Sequence, residues 1–432
     1  MIRQLWRWMF GRGNSRRAAV PTQIPVIVPS RADHKPMRPS EVFTPTKPRV
    51  GRHALIGRQE EIEIIVQALI EDKAHVVLYS ERGRGKTSLA NIIIEGLRRS
   101  GVIVAQHSCE ASSTFDSIMR GLARSLPAAL LANPVRAEEC QGCEAALPGA
   151  SLRPADIVDF QPRLTARPLI CVIDEFDRVQ DAATRTLLAD TIKQVSDRGL
   201  PLLFMIIGVS DSLEQILGQH PSIQRNLVSV PLPLLSADNI MGLVDMGAEA
   251  AGLSYSSEVI EAIAIIAGGM PYIAQLLGLR VAQVTTRRDA TTADMQTLMI
   301  AALRMIRETP APTAARYDEI TAGGEDEDVL AALRQVATAT QDLWGHMSTK
   351  DTGVDTVVVG GARIGRRSWL ALHEWGVLQP CTGKPGFVTF ADRSLRQYIL
   401  LHSVVDGTWG ADPKPIPRQM EEVAVPIQRI GL

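Results

Sequence analysis

One stretch of this chain, residues 79–90, limits the possible folds more than any other. It reads Tyr-Ser-Glu-Arg-Gly-Arg-Gly-Lys-Thr-Ser-Leu-Ala and follows the apolar run at residues 76–79. After it, apolar residues recur at helical spacing as far as residue 97. A strand, a glycine-rich turn and a helix that begins at Lys-Thr form the layout of a phosphate-binding loop. The sequence therefore predicts a polyphosphate site at this turn.

The residues of this loop have separate predicted roles. Gly83 and Gly85 let the backbone curl so that its N–H groups face the phosphates. Lys86 reaches the β- and γ-phosphates, and the hydroxyl of Thr87 holds Mg²⁺. The usual pattern opens with glycine, and here that place is taken by Ser80. The predicted nucleotide-binding set at the loop is Ser80, Gly83, Arg84, Gly85, Lys86, Thr87 and Ser88.

A second motif further along the chain supplies acidic residues. The apolar run at residues 169–173 ends in Asp174 and Glu175. Asp174 is the predicted Mg²⁺ residue, and Glu175 is predicted to orient and polarise the attacking water. A buried strand with an acidic end is the plain structural alternative, but it does not require a phosphate loop upstream. The two motifs together predict that ATP and Mg²⁺ bind, and the Asp-Glu pair favours hydrolysis.

The rest of the chain divides by pattern. Strand-like and helix-like segments alternate from about 51 to 235, which predicts a parallel α/β sheet with ligands at the carboxyl ends of its strands. The predicted strands are 75–80, 102–106, 169–174, 201–208 and 227–232. The predicted domains are a basic, Pro-rich and largely disordered arm at 1–50, an ATPase core at 51–235, a helical domain at 236–308, a linker at 309–328, a C-terminal domain at 329–403 and a flexible tail at 404–432.

The C-terminal block, residues 329–403, has the pattern of a winged helix-turn-helix. A helix is predicted over residues 329–343, and an irregular stretch and a second helix from near Gly361 follow it. Two short strands joined by residues 380–386 form the predicted wing. The second helix and the wing carry the predicted DNA-binding residues Arg363, Arg366, Arg367 and Lys384. Winged helices also contact proteins, so duplex DNA and a protein partner both remain open.

Composition adds limits on partners and compartment. The net charge is −1, so binding to nucleic acid requires local basic patches. Residues 1–50 contain ten Lys and Arg residues and two acidic residues. Within residues 1–10, apolar residues share one helical face. This segment is either a short helix bound to the surface of a partner or a membrane, or an unstructured start. Five cysteines and no signal peptide predict a reducing cytoplasm. The uncharged stretch 262–279 is broken by Gly-Gly-Met-Pro, which favours two buried helices over a membrane span.

With these motifs in this order along the sequence, the chain resembles AAA+ ATPases of the origin-recognition and helicase-loader type. The resemblance covers roughly residues 50–403. It implies that residues 55–61, with Gly57 and Arg58, lie beside the adenine. It further implies that Ser210, with Asp211 behind it, contacts the γ-phosphate or the attacking water. Arg225 stands where such proteins place an arginine finger, which would act in a homo-oligomer; a surface arginine at a helix end is the alternative.

The helical domain departs from that family. Where many AAA+ proteins have a Gly-x-x-Arg element, this chain reads Gly-Met-Pro-Tyr at residues 269–272. This looks like the Gly-x-Pro element of STAND signalling ATPases, whose proline packs against the nucleotide, and so implies a role for Pro271. Two functions follow as expectations: an AAA+ ATPase that couples its nucleotide state to assembly on DNA, or a STAND-like ATP/ADP switch whose winged helix contacts protein.

Overall fold

The computed structural model describes residues 36–45, 56–131, 143–164, 168–210, 223, 225–322, 327–353, 355–381 and 383–409. These residues form two compact units, which are described separately. The first unit contains the described residues between 56 and 232. The second contains residues 36–45 together with those between 233 and 409. The predicted surface helix at 1–10 and most of the predicted tail lie outside the described residues.

The first unit alternates strands and helices along the chain. Its strands are β1 (His75–Ser80), β2 (Ile103–Ser108), β3 (Leu169–Asp174), β4 (Leu202–Val209) and β5 (Leu227–Pro231). Its helices are α1 (Gln59–Ile70), α2 (Lys86–Arg99), α3 (Phe115–Arg124), α4 (Pro154–Phe160) and α5 (Ala182–Asp197). All five predicted strands are present, with bounds that differ by at most two residues.

The five strands form one parallel sheet in the order β2-β3-β4-β1-β5. The three central strands are apolar and almost wholly buried, because helices cover both faces of the sheet. One apolar cluster joins α1 and α2 to the sheet, and a second joins α3, α4 and α5 to the opposite face. This doubly covered parallel sheet, with its phosphate loop after β1, confirms the predicted fold class.

The second unit begins with helices. They are α6 (Ala237–Ala250), α7 (Ser257–Ala267), α8 (Pro271–Arg287) and α9 (Met295–Glu308), and a pair of two-residue strands, β6 (Ser254–Tyr255) and β7 (Thr292–Ala293), lies among them. Side-chain oxygens of Ser236, Ser256 and Asp294 cap three of these helices. The uncharged stretch 262–279 is two helices joined by a turn, as predicted. Among the described residues, no helix is long and apolar enough to cross a membrane.

The C-terminal part of this unit combines helices with an antiparallel sheet. Its helices are α10 (Ala311–Ala322), α11 (Glu327–Thr338), α12 (Arg366–Glu374) and α13 (Arg393–Val405). Its strands are β8 (Met347–Asp351), β9 (Thr356–Val359), β10 (Ala362–Gly365), β11 (Leu378–Pro380) and β12 (Phe387–Phe390), in the order β10-β9-β8-β12-β11. The predicted wing is the antiparallel pair β11 and β12.

Three details of the C-terminal prediction are wrong. The first helix ends at Thr338 rather than at residue 343. The stretch between the two helices is not irregular, because it forms β8, β9 and β10. The second helix begins at Arg366 rather than near Gly361, because residues 362–365 pair with β9. Arg363 therefore lies on a strand and not on the predicted helix.

Part of the predicted disordered arm is ordered. Phe43 is buried, and its ring lies against Gly247 of α6 and Gly278 of α8. A Cβ at Gly247 would approach a ring carbon to 2.4 Å, and one at Gly278 to 2.7 Å. The Thr44 N–H also donates to the Gln275 side chain at 3.1 Å. Because the two glycines have no side chain, they leave room for the Phe43 ring, which packs residues 36–45 against the helical domain.

Candidate functional site

The candidate nucleotide site lies where three strands of the parallel sheet end. Because β3, β4 and β1 are neighbours, Asp174, Ser210 and Ser80 come to the same edge. The Ser210 N–H donates to the Ser80 carbonyl at 3.3 Å. The Val209 N–H donates to Oδ1 of Asp177 at 2.8 Å, which ties the acidic motif to the end of β4. The sequence motifs are thus gathered at one edge.

The loop after β1 has the shape that an anion requires. Gly83 and Gly85 have φ values of 80° and 92°, a left-handed conformation that favours glycine. Helix α2 begins directly after them at Lys86, so its unpaired N–H groups and its positive dipole end lie at the loop. This geometry suits a phosphate group.

Lys86 contacts the loop that carries it. Its Nζ donates to the carbonyls of Ser80 and Glu81, each at 2.8 Å, and to the Ser80 hydroxyl at 3.2 Å. Burial lowers the pKa of Lys86 to about 8, although Asp177 and Asp174 oppose this shift. All three oxygens that it contacts are uncharged, so the positive charge has no direct carboxylate partner among the described residues. A phosphate would supply the missing negative charge.

The predicted Mg²⁺ residues are brought together. The Thr87 side chain hydrogen-bonds to the Asp174 carboxylate, and Asp174 also accepts from the Glu175 N–H at 2.8 Å. Burial raises the pKa of Asp174, an effect that a bound cation would reverse. Within the described residues, no group of three or more His, Cys, Asp or Glu could hold a metal. A hydroxyl and one carboxylate fit Mg²⁺ that takes its other ligands from phosphates and water.

Glu175 lies at the same edge in an uncommon backbone conformation. Its φ of 54° is left-handed, which costs free energy for a residue other than glycine. Its side chain is about half exposed and forms an ion pair with Arg178 at 2.8 Å. The carboxylate is thus available to water at the site, and Arg178 holds it in its present position.

Two buried arginines support the loop. Arg58 donates to the Arg84 carbonyl at 3.2 Å and pairs with Glu61 at 3.1 Å. Arg84 in turn donates to the Leu232 carbonyl, just after β5, at 3.2 Å, and pairs with Glu81 at 3.1 Å. Burial lowers the pKa of Arg58. Both side chains are less than a tenth exposed and contact protein groups, so they help to fix the loop, and their predicted contact with the nucleotide stays a prediction.

The remaining predicted residues of this site have mixed positions. Gly57 has a φ of 67° directly before Arg58, and Ser88 is half-buried in the first turn of α2. Arg225 is exposed in the turn before β5. Pro271 is the first residue of α8 in the second unit. Asp211 lies outside the described residues. The predicted roles of these residues stay predictions.

The four predicted DNA-binding residues differ in their surroundings. Arg363 is exposed on β10, and Arg367 is exposed on α12. Arg366 forms an ion pair with Asp351 and also donates to the Gly353 carbonyl. The sequence pattern predicts three of the four on the second helix, but the structure places only Arg366 and Arg367 on α12 and pairs Arg366 with an acid.

Lys384, the wing residue, also has an acidic partner. Its Nζ lies 2.6 Å from Oδ2 of Asp342 and 4.0 Å from the centre of the Phe387 ring. Hydrogen bonds from His346, Lys384 and Trp344 hold the pKa of Asp342 well below its usual range, against the opposing effect of burial. Sequence reasoning missed Asp342 and Asp351, because no local motif links either carboxylate to its cation.

Part of the chain matches a known protein family. Residues 54–206 match the model of the AAA ATPase domain. No curated protein matches the chain. Similar solved structures include Orc1 of Aeropyrum pernix in complex with DNA, with 17% identity over 86% of this chain and 98% of that one and a TM-score of 0.41. The Orc2 protein of the same organism has 15% identity, coverage of 85% and 98%, and a TM-score of 0.47. RuvB of Thermotoga maritima, a Holliday junction branch migration motor, has 14% identity, coverage of 78% and 93%, and a TM-score of 0.42.

Proposed function

We propose that this chain, whose residues 54–206 match the AAA ATPase domain, binds and hydrolyses ATP and couples its nucleotide state to assembly on DNA. The observation that carries the ATP part is the charge of Lys86 at the start of α2, whose contacts among the described residues are all to uncharged oxygens. The DNA part rests on the basic residues of the C-terminal module. In this account the protein is of the origin-recognition type and acts in the cytoplasm.

The residues divide the work at the nucleotide. Lys86 and the N–H groups of the loop bind the phosphates, and Thr87 and Asp174 would hold Mg²⁺, which would neutralise phosphate charge. Glu175 accepts a hydrogen bond from the attacking water and takes its proton. To do so, its carboxylate leaves Arg178 or shares that contact. Ser210, at the end of β4, is the proposed contact to the γ-phosphate or the water.

Arg225 is proposed to act on a neighbouring subunit of a homo-oligomer. Its exposure at the end of the turn before β5 suits a residue that reaches a partner's γ-phosphate. The test mixes Arg225→Ala subunits with Glu175→Gln subunits. Each is expected to be weak alone, and mixed oligomers are expected to recover part of the activity. Mixed oligomers without recovery would remove the trans role.

A STAND-like regulatory switch is the second candidate. Two observations favour it: the Gly-Met-Pro turn before α8 has no arginine, and two of the predicted DNA-binding cations are already paired with acids. In that case the C-terminal module contacts protein, and Pro271 packs against the nucleotide. Such a protein retains ADP tightly, and duplex DNA does not change its turnover.

One experiment separates the two functions. ATP hydrolysis is measured with and without duplex DNA, beside size-exclusion chromatography with ADP and with a slowly hydrolysed ATP analogue. The DNA-coupled function predicts that duplex DNA stimulates hydrolysis and that the ATP analogue favours a larger assembly. Hydrolysis that is indifferent to DNA, with ADP retained through the column, would replace it by the switch.

A further inference from the structure

The register of the C-terminal sheet sets two cations in one row. Lys350 of β8 and Arg363 of β10 both pair with Val358 of β9, which lies between them. Directly paired residues of an antiparallel sheet share a face, so all three lie on the same side. Adjacent strands are about 4.8 Å apart, which separates the two cationic residues by about 10 Å at the backbone.

This side of the sheet faces away from the core. Val357, Val359 and Ile364, which alternate with the row, are buried, whereas Lys350 and Arg363 are exposed. Neither cation forms an ion pair with any residue that the structure describes. Their charges are therefore available, unlike that of Arg366.

The same face continues onto the wing. Phe387 of β12 pairs with Ser348 of β8, and Ser348 lies on the side of Lys350 because residues two apart in a strand share a face. The Lys384 ammonium group covers the Phe387 ring. The positions that share this face on the five strands carry no acidic residue; they are Ser348, Lys350, Thr356, Val358, Arg363, Gly365, Gln379, Phe387 and Thr389.

We propose that this sheet face, defined by Lys350, Val358 and Arg363, binds the phosphate backbone of duplex DNA. The proposal deepens the DNA part of the proposed function and rests on it. Two long, exposed cations in a row, on a face whose strand positions carry no acid, complement a line of phosphates, and they supply charge without reading bases. Helix α12 offers less, because Arg366 is paired with Asp351 and Leu370 is 53% exposed on that helix.

The test compares the sheet face with the helix. Duplex binding of the full chain is measured over a range of salt concentrations for wild type, for Lys350→Ala/Arg363→Ala and for Arg367→Ala. If both sheet cations meet phosphates, the double variant loses about 1.8 from the log–log salt slope, at about 0.9 for each contact. Arg367→Ala removes one charge and would lose about 0.9 if that residue met a phosphate; we expect a loss well below that value.

Controls separate charge from structure. The variant Lys350→Arg/Arg363→Lys keeps both charges and is expected to bind duplex as wild type does. Circular dichroism and thermal unfolding like those of wild type in every variant show that the C-terminal sheet, which lies in the second unit, remains folded. If wild type binds duplex DNA and the double variant binds it with the same affinity and the same salt slope, the sheet-face proposal is wrong and the DNA function stands. Absence of duplex binding by wild type overturns both.

Discussion

The nucleotide site and the wing each hold a lysine with its ammonium group well contacted, but the contacts differ in charge. Lys86 touches two carbonyls and a hydroxyl, whereas Lys384 touches the carboxylate of Asp342. A carboxylate cancels the charge that an incoming phosphate would otherwise meet, and an uncharged oxygen does not. Contact alone therefore does not identify a binding cation. The charge of its partner decides whether the cation can still bind an anion.

The largest expected effect concerns hydrolysis at the nucleotide site. Glu175→Gln keeps the shape of the side chain but loses the carboxylate that accepts the proton. We expect hydrolysis to be at least ~100-fold slower, because this is the usual contribution of a general base. The affinity for ATP is expected to stay unchanged. Single-turnover hydrolysis and calorimetric ATP binding measure the two quantities. Arg178→Ala, which only releases Glu175, is the matched control and is expected to keep activity; near-normal turnover in Glu175→Gln would point to Asp177 as the base.

The next effect concerns the protonation of Lys86. Its pKa of about 8 lies below the ordinary value because of burial, so the free site loses its positive charge as the pH rises through 8. Nucleotide phosphates require the charged form, so binding above that pH must take up a proton. We expect nucleotide affinity to fall about tenfold between pH 7 and pH 9.

Two variants assign that pH dependence to Lys86. Lys86→Arg keeps the charge over this range and is expected to flatten the profile, because arginine does not lose its proton there. Lys86→Ala has no group to titrate and is expected to bind weakly at both pH values. If the tenfold fall persists in Lys86→Ala, another group causes it.

A smaller effect is expected at the wing. Asp342→Asn keeps the size of the side chain and one carbonyl oxygen but removes the negative charge that holds Lys384. We expect duplex DNA to bind a few-fold more tightly, with a salt slope steeper by about 0.9 for the one added phosphate contact. Adding Lys384→Ala to this variant should remove the gain. A slope that stays at the wild-type value in Asp342→Asn would mean that Lys384 does not reach phosphate even when it is released.

The two regions also differ in how much their sequence could predict. The parallel sheet and its phosphate loop follow from local patterns, since apolar runs of four and five residues, at 76–79 and 169–173, are followed by a glycine-rich and an acidic motif. The contacts that position Arg84 were not predictable in the same way, because its partner carbonyl at Leu232 is distant in sequence. Sheet order, which is a property of the whole fold, brings the two together.

In the C-terminal module, pairing between distant segments overrides the local pattern. Residues 362–365 were predicted to start a helix because basic and apolar residues there fit helical spacing. Their hydrogen bonds to β9 make them a strand instead, and this places Arg363 in a row with Lys350. The pair of Lys384 and Asp342 likewise joins residues from separate elements. The positions of the lysines and arginines in the sequence do not show which of them lie beside an acid in the fold. The sequence therefore could not predict which positive charges remain available to bind phosphate.

The most direct test of this account is calorimetric titration of Mg²⁺-ATP into wild type, Lys86→Ala and Lys384→Ala at pH 7. The account predicts that wild type binds and that Lys86→Ala binds about tenfold to 100-fold more weakly, the range of one charge-assisted contact of about 1.5–3 kcal/mol. It predicts that Lys384→Ala, which removes a lysine already paired with an acid, binds as wild type does. Undiminished binding by Lys86→Ala would contradict the central claim that this lysine is the nucleotide's cation.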